Sequence, residues 1–144
     1  MTLKVYGIGY SGKDPEAVRR IAEALDAVVF DIRFSPRSRD PRWAGRNVAA
    51  ALGAGRYEHV RALGNRNYKG GPVELVDFEA GLRRIFDSER PVILMCVCRD
   101  PATCHRTVVG RRLEEAGLEY TELKGPLSIT DPEARRTRQL TFDL

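Results

Sequence analysis

Cysteine, histidine, methionine and tryptophan are scarce in this chain of 144 residues, with three, two, two and one of each. An odd, small cysteine count excludes a fully paired disulfide framework and fits an intracellular setting. No apolar run approaches the roughly 20 residues a membrane helix needs, so no membrane partner is expected. The opening MTLKVYGIGYSG lacks the basic-then-apolar build of a signal peptide, and the expected compartment is cytoplasmic. With only His59 and His105 present, any Ser-His-Asp triad must use one of them, and His59 falls in a β-rich run where a structural role is expected. Asp40, Glu58, Asp77 and Glu79 show no pairing suited to glycoside chemistry. Repeats, low-complexity stretches and a second-domain boundary are also absent. The chain therefore reads as one α/β domain, residues 1–144, with a core over 3–125 and a polar tail over 126–144. Its 42% apolar content is ample for a core. A chain this long buries roughly 70% of its unfolded surface.

The net charge of +4 conceals strong segregation. Residues 33–46 carry +4, residues 56–69 carry +3 and residues 99–112 carry +3, so the rest of the chain sums to −6. Each stretch alone is ordinary solvated surface. If they meet in space they form an anion-binding face. Arginine outnumbers lysine 20 to 4, which suits bidentate oxyanion contacts.

Periodicity gives the order of elements. LKVYGI (3–8) reads as a first strand ending in the glycine-rich GYSG. Asp14-Pro15-Glu16 is a helix start, and Val18, Ile21, Ala22 and Leu25 supply one apolar face as far as Asp26. AVVFDI (27–32) is a doubly covered strand, followed by a long Pro-, Ser- and Arg-rich loop over 33–46 that Trp43 would anchor. A short helix is predicted over 47–55, a strand over 57–63, loop chemistry over 63–72 and a helix over 73–88. PVILMCV (91–97) should be the central strand, with a helix over 104–117 and a last strand over 118–123. Alternating strands and helices imply a Rossmann-like α/β fold: a mostly parallel sheet of about five strands with helices on both faces. Ligands then bind beyond the carboxyl ends of the strands, where the loops at 9–13, 33–46, 64–72 and 98–103 should crowd one rim.

The sharpest cluster is Cys96-Val97-Cys98-Arg99-Asp100-Pro101-Ala102-Thr103-Cys104-His105-Arg106, a strand, a turn and a helix start. A helix N-terminus favours anions. A thiol placed there beside His105 and Arg106 should have a lowered pKa, and the thiolate is the nucleophilic form. Cys96 reads as a small core hydrophobe and Cys98 as intermediate. Zinc fits poorly, because a C-x-C on a strand with adjacent Cys104 and His105 lacks the usual separated ligand pairs, and no metal is expected. Phosphatases and sulfurtransferases that use a Cys loop place an Arg five or six positions after the thiolate. Cys98 to Cys104 spans that distance and Arg106 lies two further on, so the layout is analogous without the signature. GIGYSG completes neither a Walker loop nor a dinucleotide fingerprint, and no cofactor is expected. Tyr10, Ser11 and Gly12 after the first strand, and Asn65, Asn67, Tyr68 and Lys69 in the middle loop, are candidate ligand contacts. For the asparagines, ordinary turn formation is the competing role. Asp31 is a general base, a partner for Arg33, or a cap.

GYSG, DIRFSPRSR, LGNRNYKG and CVCRDPATCHR together, in that order, resemble the bacterial and archaeal family called domain of unknown function 488, over roughly residues 5–125. The resemblance implies a Rossmann-like fold in a small stand-alone cytosolic protein. It places emphasis on Tyr10, Ser11, Asp31, Arg33, Pro36, Asn65, Cys104, His105 and Arg106, and it implies no established activity.

The expectation is an enzyme-like pocket for a small anionic ligand, a nucleotide or a nucleic-acid phosphate. Cys104, His105 and Asp31 would carry the chemistry, and Tyr10, Ser11, Gly12, Arg33, Arg37, Asn65, Lys69 and Arg106 would hold the ligand. Two alternatives stand beside it: a non-catalytic nucleic-acid-binding module in which Trp43 or Tyr68 stacks on bases, and a cysteine-based redox or sulfur-transfer protein. The sequence is silent on oligomeric state.

Overall fold

The most apolar run becomes the middle of the sheet. Val92–Cys96 (β4) has all five residues buried, because it is hydrogen-bonded on both sides and covered on both faces. Its neighbours are Lys4–Gly9 (β1) and Val28–Asp31 (β2); Tyr57–His59 (β3) lies outside β2 and Glu119–Glu122 (β5) outside β1. Every pairing in the order β3-β2-β4-β1-β5 is parallel. The computed structural model describes residues 3–97, 104–126 and 141–142. Cys98, Arg99, Asp100, Pro101 and most of the polar tail lie outside the described residues. Segments 124–126 and 141–142 pair as two further short strands, β6 and β7.

Two helices cover each face. Pro15–Leu25 (α1) starts where the Asp14 carboxylate accepts the Ala17 N–H at 2.9 Å and Pro15 presets the first turn. With Gly45–Leu52 (α2) it buries Val18, Ile21, Ala22, Val48 and Leu52 against Ile8, Val29, Ile93 and Met95. On the other face Phe78–Ser88 (α3) and His105–Glu115 (α4) bury Phe78, Ile85, Val109 and Leu113 against Val5, Val28, Phe30, Val92 and Leu94. This is a Rossmann-like α/β arrangement. No helix among the described residues is long and apolar enough to cross a membrane.

Four element boundaries differ from the sequence reading, the first being the helix predicted over 47–55, which is α2, Gly45–Leu52, and ends before Gly53. The strand predicted over 57–63 stops at His59 and turns into a 3-10 turn at Arg61–Leu63. The helix predicted over 73–88 begins only at Phe78, where Asp77 caps it by accepting the Ala80 N–H. Residues 74–76 are instead tied to the preceding loop, through Arg66 N–H to Glu74 O at 2.8 Å and Val76 N–H to Gly64 O at 3.0 Å. The long loop at 33–46 holds a 3-10 turn, Pro41–Trp43, and the first turn of α2.

An all-parallel sheet sends every strand's carboxyl end to the same edge, so the loops after β1, β2 and β3 share a rim. The predicted meeting of all three basic segments is only partly met. Arg33 and Arg106 are buried, at 7% and 1% exposure. Arg56 precedes β3 at the opposite edge, where it donates to the carbonyls of Ala22 and Ala27. Arg112 is one turn from the C-terminus of α4 and stacks on Phe78.

Candidate functional site

The chain leaving β2 is fixed at consecutive carbonyls by the only two histidines in the sequence. His105 Nε2 donates to Ile32 O at 2.9 Å, and His59 Nε2 donates to Arg33 O at 2.8 Å. On either side of this point lies a buried polar cluster.

The first cluster centres on Asp31, which is fully buried at the end of β2. Its carboxylate accepts four hydrogen bonds: from Arg33 N–H at 3.2 Å, Arg33 Nε at 2.8 Å, Arg33 Nη2 at 2.5 Å and Tyr57 Oη at 2.6 Å. Arg33 Nη1 donates to Trp43 O at 2.7 Å and to Tyr10 Oη and Arg37 O, each at 3.3 Å. Burial works against the Arg33 charge, but the hydrogen bond and charge of Asp31 outweigh it and raise its pKa. Desolvation first, then the Asp31 hydrogen bond, raises the Tyr57 pKa. Tyr10 stacks on Trp43 with ring centroids 4.2 Å apart. Asp31, Arg33 and Tyr10 are thus brought together, but as a closed network. Every Asp31 oxygen and most of the Arg33 guanidinium is already engaged, so Asp31 has no free lone pair facing the rim and Arg33 no free fork for an oxyanion.

The second cluster runs across the start of α4. Cys104 is the residue before its first turn, with no side-chain cap of its own, and Cys96 is the last residue of β4. Arg106 donates through Nε to Glu122 Oε1 at 2.7 Å and through Nη1 to Cys96 Sγ at 3.0 Å. Tyr120 Oη holds the other Glu122 oxygen at 2.6 Å. The Cys104 pKa is lowered, chiefly by a hydrogen bond from Cys96; burial opposes this, and hydrogen bonds from His105 and the Arg106 backbone N–H and the Arg106 charge assist it. The two sulfurs titrate as a pair, and the Arg106 charge favours a negative charge on it. Since the Ile32 carbonyl can only accept, Nε2 of His105 carries a proton.

Cys96, Cys104 and His105 are the metal-ligand types that gather here, with donor atoms within 4.8 Å of one another. The Arg106 guanidinium already donates to Cys96 Sγ within this group.

The remaining candidates are scattered. Ser11 and Gly12 line a cavity of about 440 Å³ with Lys13, Arg20, Arg42 and Trp43, on the α1 side of the sheet; neither Cys104 nor His105 lines it. Gly12 has φ 81°, a left-handed turn that glycine adopts without strain. Arg37 is exposed. Asn65 is a turn hub, its Oδ1 accepting from Asn67 N–H at 3.0 Å and Glu74 N–H at 2.9 Å. Lys69 is exposed, with Nζ 5.8 Å from the Tyr68 ring centroid. Trp43 is 3% exposed and unavailable for stacking on bases, whereas Tyr68 is 60% exposed.

Glu122, which pairs with Arg106, is the member of this cluster that the sequence does not single out, and Cys96 reads there only as packing. One signal was available. Gly7 lies mid-strand in β1, and a Cβ there would come within 1.9 Å of Tyr120 Oη and 2.7 Å of Glu122 Oε2. A glycine inside a strand often marks such a close approach. No family model matches the chain, and neither the curated proteins nor the solved structures contain a match.

Proposed function

We propose that the protein is a thiol-dependent enzyme whose Cys104 thiolate attacks a phosphate-bearing substrate, a nucleotide or a nucleic-acid end. The observation that carries this reading is the grouping at the start of α4, where the donor atoms of Cys96, Cys104 and His105 lie within 4.8 Å of one another and Arg106 donates to Cys96 Sγ. In the reaction the sulfur–phosphorus bond forms as the phosphorus–oxygen bond to the leaving group breaks, and His105 gives its proton to the departing oxygen. Water then cleaves the thiophosphate, returning its proton to His105 and freeing Cys104. Arg33 and Asp31 hold the 33–46 loop in place through the Arg37 and Trp43 carbonyls and take no direct part in the chemistry. The preference for an anion rests on the exposed basic side chains of the rim, Arg37, Arg39, Arg46, Arg61 and Lys69. The resemblance of the ordered motifs to domain of unknown function 488 is compatible with this reading and adds no reaction.

A turnover screen over nucleotides, sugar phosphates and short oligonucleotides tests it. The expected result is a hydrolysed substrate whose turnover is abolished in Cys104→Ser while binding persists. Unchanged turnover in that variant contradicts the reading. One observation favours a second reading, thiol redox chemistry: the Cys96 sulfur is itself a partner of Cys104. That reading expects hydroperoxide to leave the protein two hydrogens lighter, with Cys96 and Cys104 joined.

A further inference from the structure

The loop after β3 carries an aromatic–cation stack that the thiolate chemistry does not use. Tyr68 stacks on Phe34 with ring centroids 5.4 Å apart and planes inclined by 22°. The Arg61 guanidinium lies over the Phe34 ring, 4.0 Å from its centroid, and Lys69 Nζ reaches over the Tyr68 ring at 5.8 Å from its centroid, a long side chain that a stacking base can displace toward the phosphates. The order through space is therefore Arg61, Phe34, Tyr68, with Tyr68 outermost and 60% exposed. A tyrosine left this open normally swings freely. Here the loop beneath it is braced by Asn65, whose side chain ties Asn67 to Glu74, and by backbone pairing of Asn65 with Leu75. Arg61 and Lys69 make no ion pair among the described residues. Phe34 directly follows Arg33, whose backbone begins at the carbonyl that holds His105, so stack and thiolate share the carboxyl end of β2.

We infer that the Tyr68–Phe34 stack is a base-stacking platform for single-stranded nucleic acid, with Arg61, Arg66 and Lys69 meeting the phosphates. The inference rests on the thiolate reading for its purpose, since it supplies the substrate's class, but stands on separate residues. A flat, exposed ring backed by a second ring matches the π-face that every base offers. Unpaired cations on both sides match a chain with one negative charge per nucleotide. A duplex hides its base faces and meets only the cations, so single strands are preferred.

Fluorescence anisotropy with 5′-fluorescein-labelled dT12 and rU12, and with a duplex of equal length, measures this directly. The wild type should bind the single strands more tightly than the duplex, with affinity falling as salt rises. Tyr68→Ala should weaken single-strand binding about tenfold, Tyr68→Phe should leave it within twofold, and Arg61→Gln should reduce the salt dependence. Thermal melting confirms that the variants fold. Equal binding of duplex and single strand, unchanged affinity in Tyr68→Ala, or no binding at low salt overturns the proposal. The two readings fail separately. Alkylation of Cys104 as a function of pH is indifferent to Tyr68→Ala, and a binding platform survives even if Cys104→Ser leaves turnover intact.

Discussion

Replacing Asp31 by Asn separates a structural acid from a catalytic one. The carboxylate is fully buried, opposes an Arg33 side chain that is 7% exposed, and accepts four hydrogen bonds. Asparagine keeps the shape but removes the charge, and it must turn an N–H₂ group toward Arg33 or Tyr57, both of which donate. Removing one partner of a buried ion pair costs about 3–5 kcal/mol. A chain of this length loses roughly 3–5 °C per kcal/mol, so Tm should fall by about 10–20 °C. Arg33 also holds the carbonyls of Arg37 and Trp43, so the same change should open the 33–46 loop to trypsin before the rest of the chain unfolds. Differential scanning calorimetry and limited proteolysis read the two effects. At temperatures where the variant is folded, Cys104 should be alkylated with the wild-type pH profile, because the thiolate's own partners are untouched. A loss below about 1 kcal/mol would refute the network reasoning, and loss of turnover with a fully stable protein would return Asp31 to a direct chemical role.

Several other expectations follow from the same contacts. Gly110→Ala places a Cβ within 2.5 Å of the Tyr120 ring, which supports Glu122, and should cost about 1–3 kcal/mol in chemical denaturation. Trp43→Ala removes a 3%-exposed ring stacked on Tyr10 and should cost about 3–5 kcal/mol by the same measurement. His105→Gln can still donate to the Ile32 carbonyl but loses the imidazole's hydrogen bond that lowers the Cys104 pKa, so the pH midpoint of Cys104 alkylation should move up. Because the Cys104 pKa is lower folded than unfolded, its contribution to stability is fully present above the unfolded value near 8.5 and shrinks as pH falls from there. The stability advantage of wild type over Cys104→Ser should therefore be larger at about pH 9 than at about pH 6; an advantage that grows on acidification would contradict the assignment.

Much of the fold was legible because its signals are local or purely periodic. Asp14-Pro15 started α1, and the apolar run VILMC became the central strand because only a strand covered on both faces tolerates five buried residues in succession. The start of α3 was misplaced for a physical reason: residues 74–76 pair back to the 64–66 loop, a tertiary bond that periodicity does not register. Cys104, His105 and Arg106 stood out because their chemistry sits in one contiguous stretch. The charge arithmetic was less reliable, since sequence counts charges without knowing which are internal. Arg33 and Arg106 are neutralised by Asp31 and Glu122, one two residues away and the other sixteen. Glu122 was invisible because its role depends on β5 lying beside β1, where Gly7 makes the space.

The central claim is that Cys104 exists as a thiolate at neutral pH. It is tested by the rate of iodoacetamide alkylation at Cys104, resolved from Cys96 and Cys98 by peptide mass spectrometry, between about pH 4 and pH 10. A rate already at its plateau at pH 7, with a midpoint well below the 8.5 of a free thiol, is the predicted result. A midpoint at or above 8.5 would contradict the account.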